Sequence, residues 1–497
     1  MSFYDIIIIG GGINSLTAAA KLGKSGKKVV VFESRENFGG IGDTSEFVNG
    51  FKCNSLNDSI SWLDPRMEKE FALSSYGLKI FQPDPIRIAL DHDGNHIRFY
   101  KDIEKTINSI SNHSKADGEN WTNFNDYILN LCEFLKKIYK STPPNLPNTR
   151  LSDLVQLKSL IKPIIKQGTF GISEFMRTIP MMMPEMMDEW FKSDLVRGVI
   201  SAQAVKQLTQ GPYASAVALN LLHHHVHSNG IMQNSLIVSG GTKNIADALV
   251  DFGNSIGVKF NSSMHVESIL LENNCCQGVQ LSSGEKIYST NVLSGLDPWT
   301  TFNQTINPKY LSPEFNRQIK NIKCRGSVSR IHLALRELPK INGIESNEMS
   351  SLFTIAPSLE YIEKAFDSTK YGEISEEPVI EFFIPSILNQ DFAPKGKHVL
   401  SITLQYTPYQ LRNSDWDKGQ KNNLYRKTLD VCKNYIPDLE KLIEEKKIVS
   451  PVDIENDFGI HEGSMSHGDL TLDQFYFMRP IIRSSKYETP IKNLYLC

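Results

Sequence analysis

No C-x-x-C pair occurs among the seven cysteines, at 53, 132, 275, 276, 324, 432 and 497. That removes the dithiol centre of a disulfide reductase and any zinc-ribbon site, and an odd, scattered set in a long chain reads as reduced thiols. No stretch approaches the ~18 continuous apolar residues of a membrane-spanning helix. No Lys/Arg block stands out, and 53 basic residues against 56 acidic ones leave a net charge of −3, so nothing points to a nucleic-acid partner. Glycine and proline, 32 and 23 of 497 residues, are too few for a collagen-like or low-complexity chain. There is no repeat. Neither a basic n-region nor an Arg-rich leader precedes the first apolar run, which begins directly after Met1-Ser2-Phe3-Tyr4-Asp5. These absences predict a cytoplasmic chain, with peripheral membrane association left open.

What is present is ordinary globular material, 40% hydrophobic and 22% charged, enough for about three domains or one large discontinuous fold. The first forty residues carry the strongest pattern. Ile6-Ile7-Ile8-Ile9 has no polar alternation, as expected of a strand buried on both faces of a parallel sheet. It runs into Gly10-Gly11-Gly12, then into a helix-forming stretch from Asn14 to Leu22 that Gly26 closes, then into Lys28-Val29-Val30-Val31-Phe32 and Glu33. Strand, glycine turn, helix, strand and terminal acid form the βαβ signature of a dinucleotide site. Gly10 permits the tight turn and Gly12 lets the backbone approach a pyrophosphate. The helix start at Asn14 and Ser15 offers unpaired amides to phosphate, and Glu33 can accept from ribose hydroxyls. Ser15 stands where the third glycine of the pattern falls. Ser34 and Arg35 follow Glu33, and a second glycine cluster, Gly39-Gly40, comes at once. This spacing favours FAD over a nicotinamide cofactor, and no second G-x-G-x-x-G follows for a built-in NAD(P)H site. A glycine-rich turn without a ligand is the plain structural alternative.

The segment from Tyr4 to Gly40 resembles the dinucleotide-binding motif of FAD flavoproteins, and Gly50-Phe51 continues it in the manner of the phytoene desaturase branch. Leu221-Leu222-His223-His224, Ser239-Gly240-Gly241-Thr242, His467-Gly468-Asp469-Leu470, Met478-Arg479-Pro480 and Thr489 to Cys497 resemble that branch too. Together they look most like its phytoene dehydrogenase-related group, the pyridine nucleotide-disulfide oxidoreductase domain-containing protein 2 proteins. The resemblance implies FAD, hydride transfer at a C–H of a lipophilic, polyene or isoprenoid substrate, and an adenine contact through the backbone of Val266. It leaves two other readings open: a non-redox polyene isomerase, and a non-catalytic flavin fold acting through a protein partner or as a homo-oligomer. In that family a glycine-rich segment follows the strand that ends here at Leu494-Tyr495-Leu496-Cys497. The expectation is therefore of a cut-short C-terminal segment and an incomplete flavin pocket.

The predicted fold is α/β: a discontinuous Rossmann-type FAD domain with a second, mixed α+β substrate domain carrying a helical insertion. Its segments are residues 1–90 (FAD domain), 91–230 (largely helical cap, with helices at 123–140, 151–167 and 173–200), 231–300 (FAD domain), 301–450 (substrate domain) and 451–497 (FAD domain). Residues 286–288 and 291–294 read as two short strands.

Three further features each have a functional and a structural reading. Met176, Met181, Met182, Met183, Met186 and Met187 could line a lipophilic tunnel or dip into a bilayer, or could fill an irregular helical core. His223 and His227 share a helix face at metal-ligand spacing, but no H-E-x-x-H acid accompanies them. No metal is expected, and His223 stands as a catalytic or substrate-positioning candidate. His467 and Arg479 are the other catalytic candidates, Arg479 as a cation near a reduced flavin; a structural turn is the alternative for the histidine.

Overall fold

The computed structural model describes residues 3–144 and 168–497. Fourteen strands build its two large sheets. In chain order they are β1 (Phe3–Ile9), β2 (Val29–Phe32), β3 (Arg87–Ala89), β4 (Ile97–Phe99), β5 (Lys259–Asn261), β6 (Val266–Glu272), β7 (Cys275–Leu281), β8 (Lys286–Ser294), β9 (Val328–Leu335), β10 (Leu352–Ile355), β11 (Val379–Phe383), β12 (His398–Gln405), β13 (Ile443–Val449) and β14 (Leu494–Leu496). The first sheet has the order β6-β7-β8-β1-β2-β5, with β14 also on β8. Its centre is parallel: β1 lies between β8 and β2, pairing Ile7 with Val292 and with Val30. Ile6, Ile7, Ile8 and Ile9 are all buried. Ile7 and Ile9 face one apolar cluster and Ile6 and Ile8 another, which is why the run shows no alternation. Each such side chain contributes roughly 1.5–3 kcal/mol by leaving water.

The two short strands expected at 286–288 and 291–294 are one strand, β8. Its first half pairs with β7 and its second half with β14, so Ser289 and Thr290 sit where the partner changes.

The second sheet runs β13-β9-β12-β11-β10-β3-β4 and is antiparallel except at β10 and β3. The β3–β4 hairpin carries the expected turn at 91–94, with Gly94 at φ +81°. It straddles the 90/91 boundary and belongs to the second sheet. Conversely, the helices Pro298–Asn303 and Pro313–Lys320 bury Phe302, Phe315 and Ile319 against the first sheet, although most of them lies past residue 300. Both crossings are tertiary choices: β3 finds its parallel partner more than 260 residues downstream.

Among the described residues, the segment between β4 and β5 is largely helical. Lys115–Lys140 buries Trp121, Phe124, Ile128, Leu131, Cys132 and Leu135 at helical spacing. Near its start, buried Asp117 accepts from Lys192 N (2.8 Å) and Ser193 N (2.7 Å), holding a neighbouring turn. The 173–200 stretch is three helices, Gly168–Thr178, Met183–Trp190 and Asp194–Ala204. Pro180 falls in the first break, and Pro184 sits in a first turn, where its missing N–H costs nothing. The helix expected over 151–167 lies outside the described residues. Among the described residues no helix is long and apolar enough to cross a membrane.

Candidate cofactor and substrate site

The turn after β1 is shaped by backbone contacts that leave no room for side chains on one side and open space on the other. Gly10 adopts φ +87° and donates its N–H to Phe32 O at 2.8 Å. A methyl group at Gly11 would lie 2.4 Å from the Phe38 ring, so that glycine is needed for the fold itself. A methyl at Gly12 would meet nothing within 4 Å. Gly12 precedes the helix Ile13–Lys24 without a side-chain cap, and the first helical bond is Leu16 N to Gly12 O. The amides of Ile13, Asn14 and Ser15 therefore have no intrahelical acceptor. All three residues line a cavity of about 740 Å³, at the larger end of small-molecule sites.

Glu33 faces the same cavity from the end of β2. Its Oε2 accepts from Gly11 N (2.6 Å), and its Oε1 from Arg35 N (2.8 Å) and Ser34 Oγ (3.2 Å). A carboxylate has about four acceptor sites, so the protein itself occupies three and one is left on Oε2. Gly39 and Gly40 close over the loop: Gly39 N donates to Gly11 O (2.8 Å), and a methyl at Gly40 would sit 3.3 Å from the Gly12 Cα. The second glycine cluster is thus small first because it packs backbone to backbone on the first.

Of the residues named from sequence, Gly10, Gly12, Asn14, Ser15, Glu33, Ser34, Gly39, Gly40, Val266, His223 and His467 all line this one cavity. Two do not. The Arg35 guanidinium pairs with Asp43 (2.9 Å), lies 4.2 Å over the Phe458 ring and faces a separate cavity of about 260 Å³. Arg479 donates to Ser466 O and, at 3.4 Å, to Gly468 O, the carbonyls on either side of His467. It braces the loop that carries the histidine and does not itself line the cavity.

The histidines divide by what they touch. His223 Nδ1 lies 2.7 Å from Tyr139 Oη, and burial pushes its imidazole down to about 4. Burial also lowers His467, with Asp297 working against the shift and Arg479 adding to it. Both rings are therefore neutral near pH 7 and able to give or take a hydrogen bond. His225 is structural: Nδ1 donates to Leu221 O (2.8 Å) and Nε2 accepts from Met232 N (3.1 Å). His227 stacks on Trp62 with ring centroids 3.7 Å apart. No group of three metal-ligating side chains occurs among the described residues. Four of the six methionines, Met181, Met183, Met186 and Met187, are buried in the helical cluster, Met182 is half-buried and Met176 is 64% exposed, and none of the six lines the cavity.

Sequence reasoning missed the far wall. Asn57, Ser59, Trp62, Lys206, Gln207 and Met465 line it. These come from segments with no mutual spacing, so only the fold unites them. Asp297 was findable: in Asp297-Pro298 it caps a helix, accepting from Thr300 N at 2.9 Å, and that helix start borders the cavity.

Residues 8–65 match the family model described as an NAD(P)-binding Rossmann-like domain. The chain is 28% identical over 518 residues to the rat (Rattus norvegicus) pyridine nucleotide-disulfide oxidoreductase domain-containing protein 2, covering 99% of this chain and 89% of that protein. It is 24% identical to the phytoene desaturase of Fusarium fujikuroi, over 99% of this chain and 84% of the relative. Among solved structures, wild-type putrescine oxidase bound to putrescine superposes with a TM-score of 0.60 at 13% identity, covering all of this chain and 93% of that one. The resemblance implied by the motifs thus holds along nearly the whole chain, and the α/β fold is shared with an oxidase.

Proposed function

We propose that this chain is an FAD-dependent oxidoreductase of the phytoene desaturase-like type, acting on a small lipophilic substrate. The observation that carries the reading is the unobstructed face of Gly12 at a helix start, opening onto a cavity that continues to His467. Bound there, FAD would supply hydride transfer at its N5, chemistry that no side chain of the protein provides. The protein's own part is to hold and to shield. Gly10–Gly12 and the amides of Ile13, Asn14 and Ser15 cradle the diphosphate. Glu33, through its remaining acceptor site, takes one ribose hydroxyl. Gly39 and Gly40 keep the cradle narrow, and the Val266 backbone borders the adenine. On the substrate side, neutral His467 and His223 orient the substrate by hydrogen bonds or move a proton.

The test is the visible spectrum of the purified protein. Oxidised-flavin bands, bleached anaerobically by a substrate with an oxidisable C–H, are the expected result. A colourless protein that stays colourless after incubation with excess FAD overturns the reading. A yellow protein that rearranges a polyene without bleaching assigns it to the isomerase chemistry instead.

A further inference from the structure

The far wall of the cavity is charged, and its charges do not cancel. Lys206 lies in the turn after the helix Asp194–Ala204 and lines both the main cavity and a pocket of about 30 Å³ beside it. Its Nζ is 3.3 Å from Glu381 Oε1, while Glu381 Oε2 is held by Arg87 Nη1. Burial alone would raise the Glu381 carboxyl, but the two cations overcome it and hold it well below the usual range. Glu381 therefore stays ionised and is shared by two cations. Next to it in the small pocket, Arg330 pairs one-to-one with Asp58. Arg87 and Arg330 are fully buried, so this is not a solvated surface cluster. His224 and His225, packed against the same place from the helix Val217–His225, are kept neutral by burial. Three cations thus face two carboxylates, leaving one positive charge, and of the three only Lys206 reaches the main cavity.

The turn that presents Lys206 is rigidly built. Lys206 O accepts from Asn220 Nδ2 (3.0 Å) and His224 Nε2 (3.4 Å). Gln207 sits at φ +62°, uncommon for a residue with a side chain, and its N–H donates to Gln405 Oε1 at 2.9 Å. Strain of this kind persists where the surroundings enforce it, and it clusters at ligand sites. Beside Lys206 stand the polar groups of Asn57, Ser59 and Gln207, while Ile60, Leu63 and Met465 supply apolar wall.

We propose that the substrate is an amphipathic carboxylic acid: an apolar chain lying along Ile60, Leu63 and Met465, with its carboxylate on the Lys206 ammonium. This rests on the oxidoreductase reading only for the word substrate; the anion site stands on the wall itself. A monoanion offsets the one surplus positive charge that Lys206, 29% exposed and sharing Glu381 with Arg87, presents to the cavity; a neutral hydrocarbon leaves that surplus uncompensated, and an amine adds to it.

The experiment uses the purified full-length protein and cis-parinaric acid, a conjugated C18 acid whose fluorescence rises on binding, with its methyl ester as the uncharged control. Flavin content is read first from visible absorbance on the same samples. The acid is expected to bind at least tenfold more tightly than the ester. Lys206→Met removes the charge while leaving Glu381 paired with Arg87; it brings the acid to within about twofold of the ester without changing ester affinity, and Lys206→Arg restores the preference. Equal binding of acid and ester by the parent, a preference that survives in Lys206→Met, an equal loss for both probes, or binding of neither overturns the proposal. A colourless protein that still selects the acid through Lys206 retains the anion site and overturns the flavin reading alone.

Discussion

Gly11 and Gly12 are neighbours of the same residue type, yet alanine at each should fail in a different way. At Gly11 the added methyl would lie 2.4 Å from Phe38 Cδ1 and 3.0 Å from Glu33 Oε2, so the loop must move or unfold. Overpacking of this kind costs about 1–3 kcal/mol, and displacing Glu33 also strips the acceptor from Gly11 N–H, roughly another 1–3 kcal/mol. At Gly12 the methyl meets no protein atom and φ is −66°, a value any residue adopts. There, poorer capping by alanine and the reduced freedom of its unfolded chain are both within about 1 kcal/mol and opposed in sign. Gly12→Ala apoprotein should therefore melt near the parent temperature, and Gly11→Ala apoprotein well below it. Flavin tells the opposite story for Gly12: a methyl in the cradle should weaken binding by roughly 1–3 kcal/mol, about five- to 150-fold. The assay pairs thermal melting of the stripped proteins with FAD titration followed by absorbance. If Gly12→Ala binds FAD as tightly as the parent, or melts as low as Gly11→Ala, the open face of Gly12 is not where the diphosphate lies.

Other outcomes follow from buried polar groups. Burial raises the Asp469 carboxyl to about 6 from an ordinary 3.8, against the Thr209 hydroxyl that donates to it. The folded state therefore favours its protonated form. About 3 kcal/mol of stability should be lost as pH rises from near 4 to above 6, and Asp469→Asn should flatten that stretch of the melting-temperature profile. Asp117→Ala leaves the amides of Lys192 and Ser193 without their acceptor, a loss of roughly 2–5 kcal/mol by denaturant titration, of which Asp117→Asn should recover part. Arg479→Ala should free the 466–468 carbonyls and expose that loop to protease; a loop as resistant as the parent's would remove Arg479 from its bracing role. The thiols of Cys53, Cys132, Cys324 and Cys432, pushed to about 12 mainly by burial, should escape alkylation at pH 8 in the native protein and react on denaturation, as read by mass spectrometry.

What was legible in the sequence is what is local. Residues 6–33 contain their own strand, turn, helix and acid, so short-range pattern and short-range geometry coincide. Lys206 and Asn57 share a wall only because distant segments converge, and no spacing encodes that. The methionine run shows the same limit: composition announces adaptable apolar side chains, but whether they face a ligand or each other is decided by packing. Adjacency to Glu33 suggests Arg35 for the cofactor, and charge suggests Arg479 beside a reduced flavin; both turn to other partners, Asp43 and the Ser466 and Gly468 carbonyls. Strand β8 was split because Ser289 and Thr290 interrupt its apolar run, an interruption that marks a change of neighbour rather than an end.

The clasp between Gly39 N–H and Gly11 O joins two stretches of chain through protein atoms alone. A slot assembled in this way loses little freedom when filled, so occupancy should be governed by how readily a molecule reaches it and not by a slow ordering step. The Gly39 amide should then exchange with solvent deuterium about as slowly in the stripped protein as in the loaded one, while amides at the helix start slow only on loading.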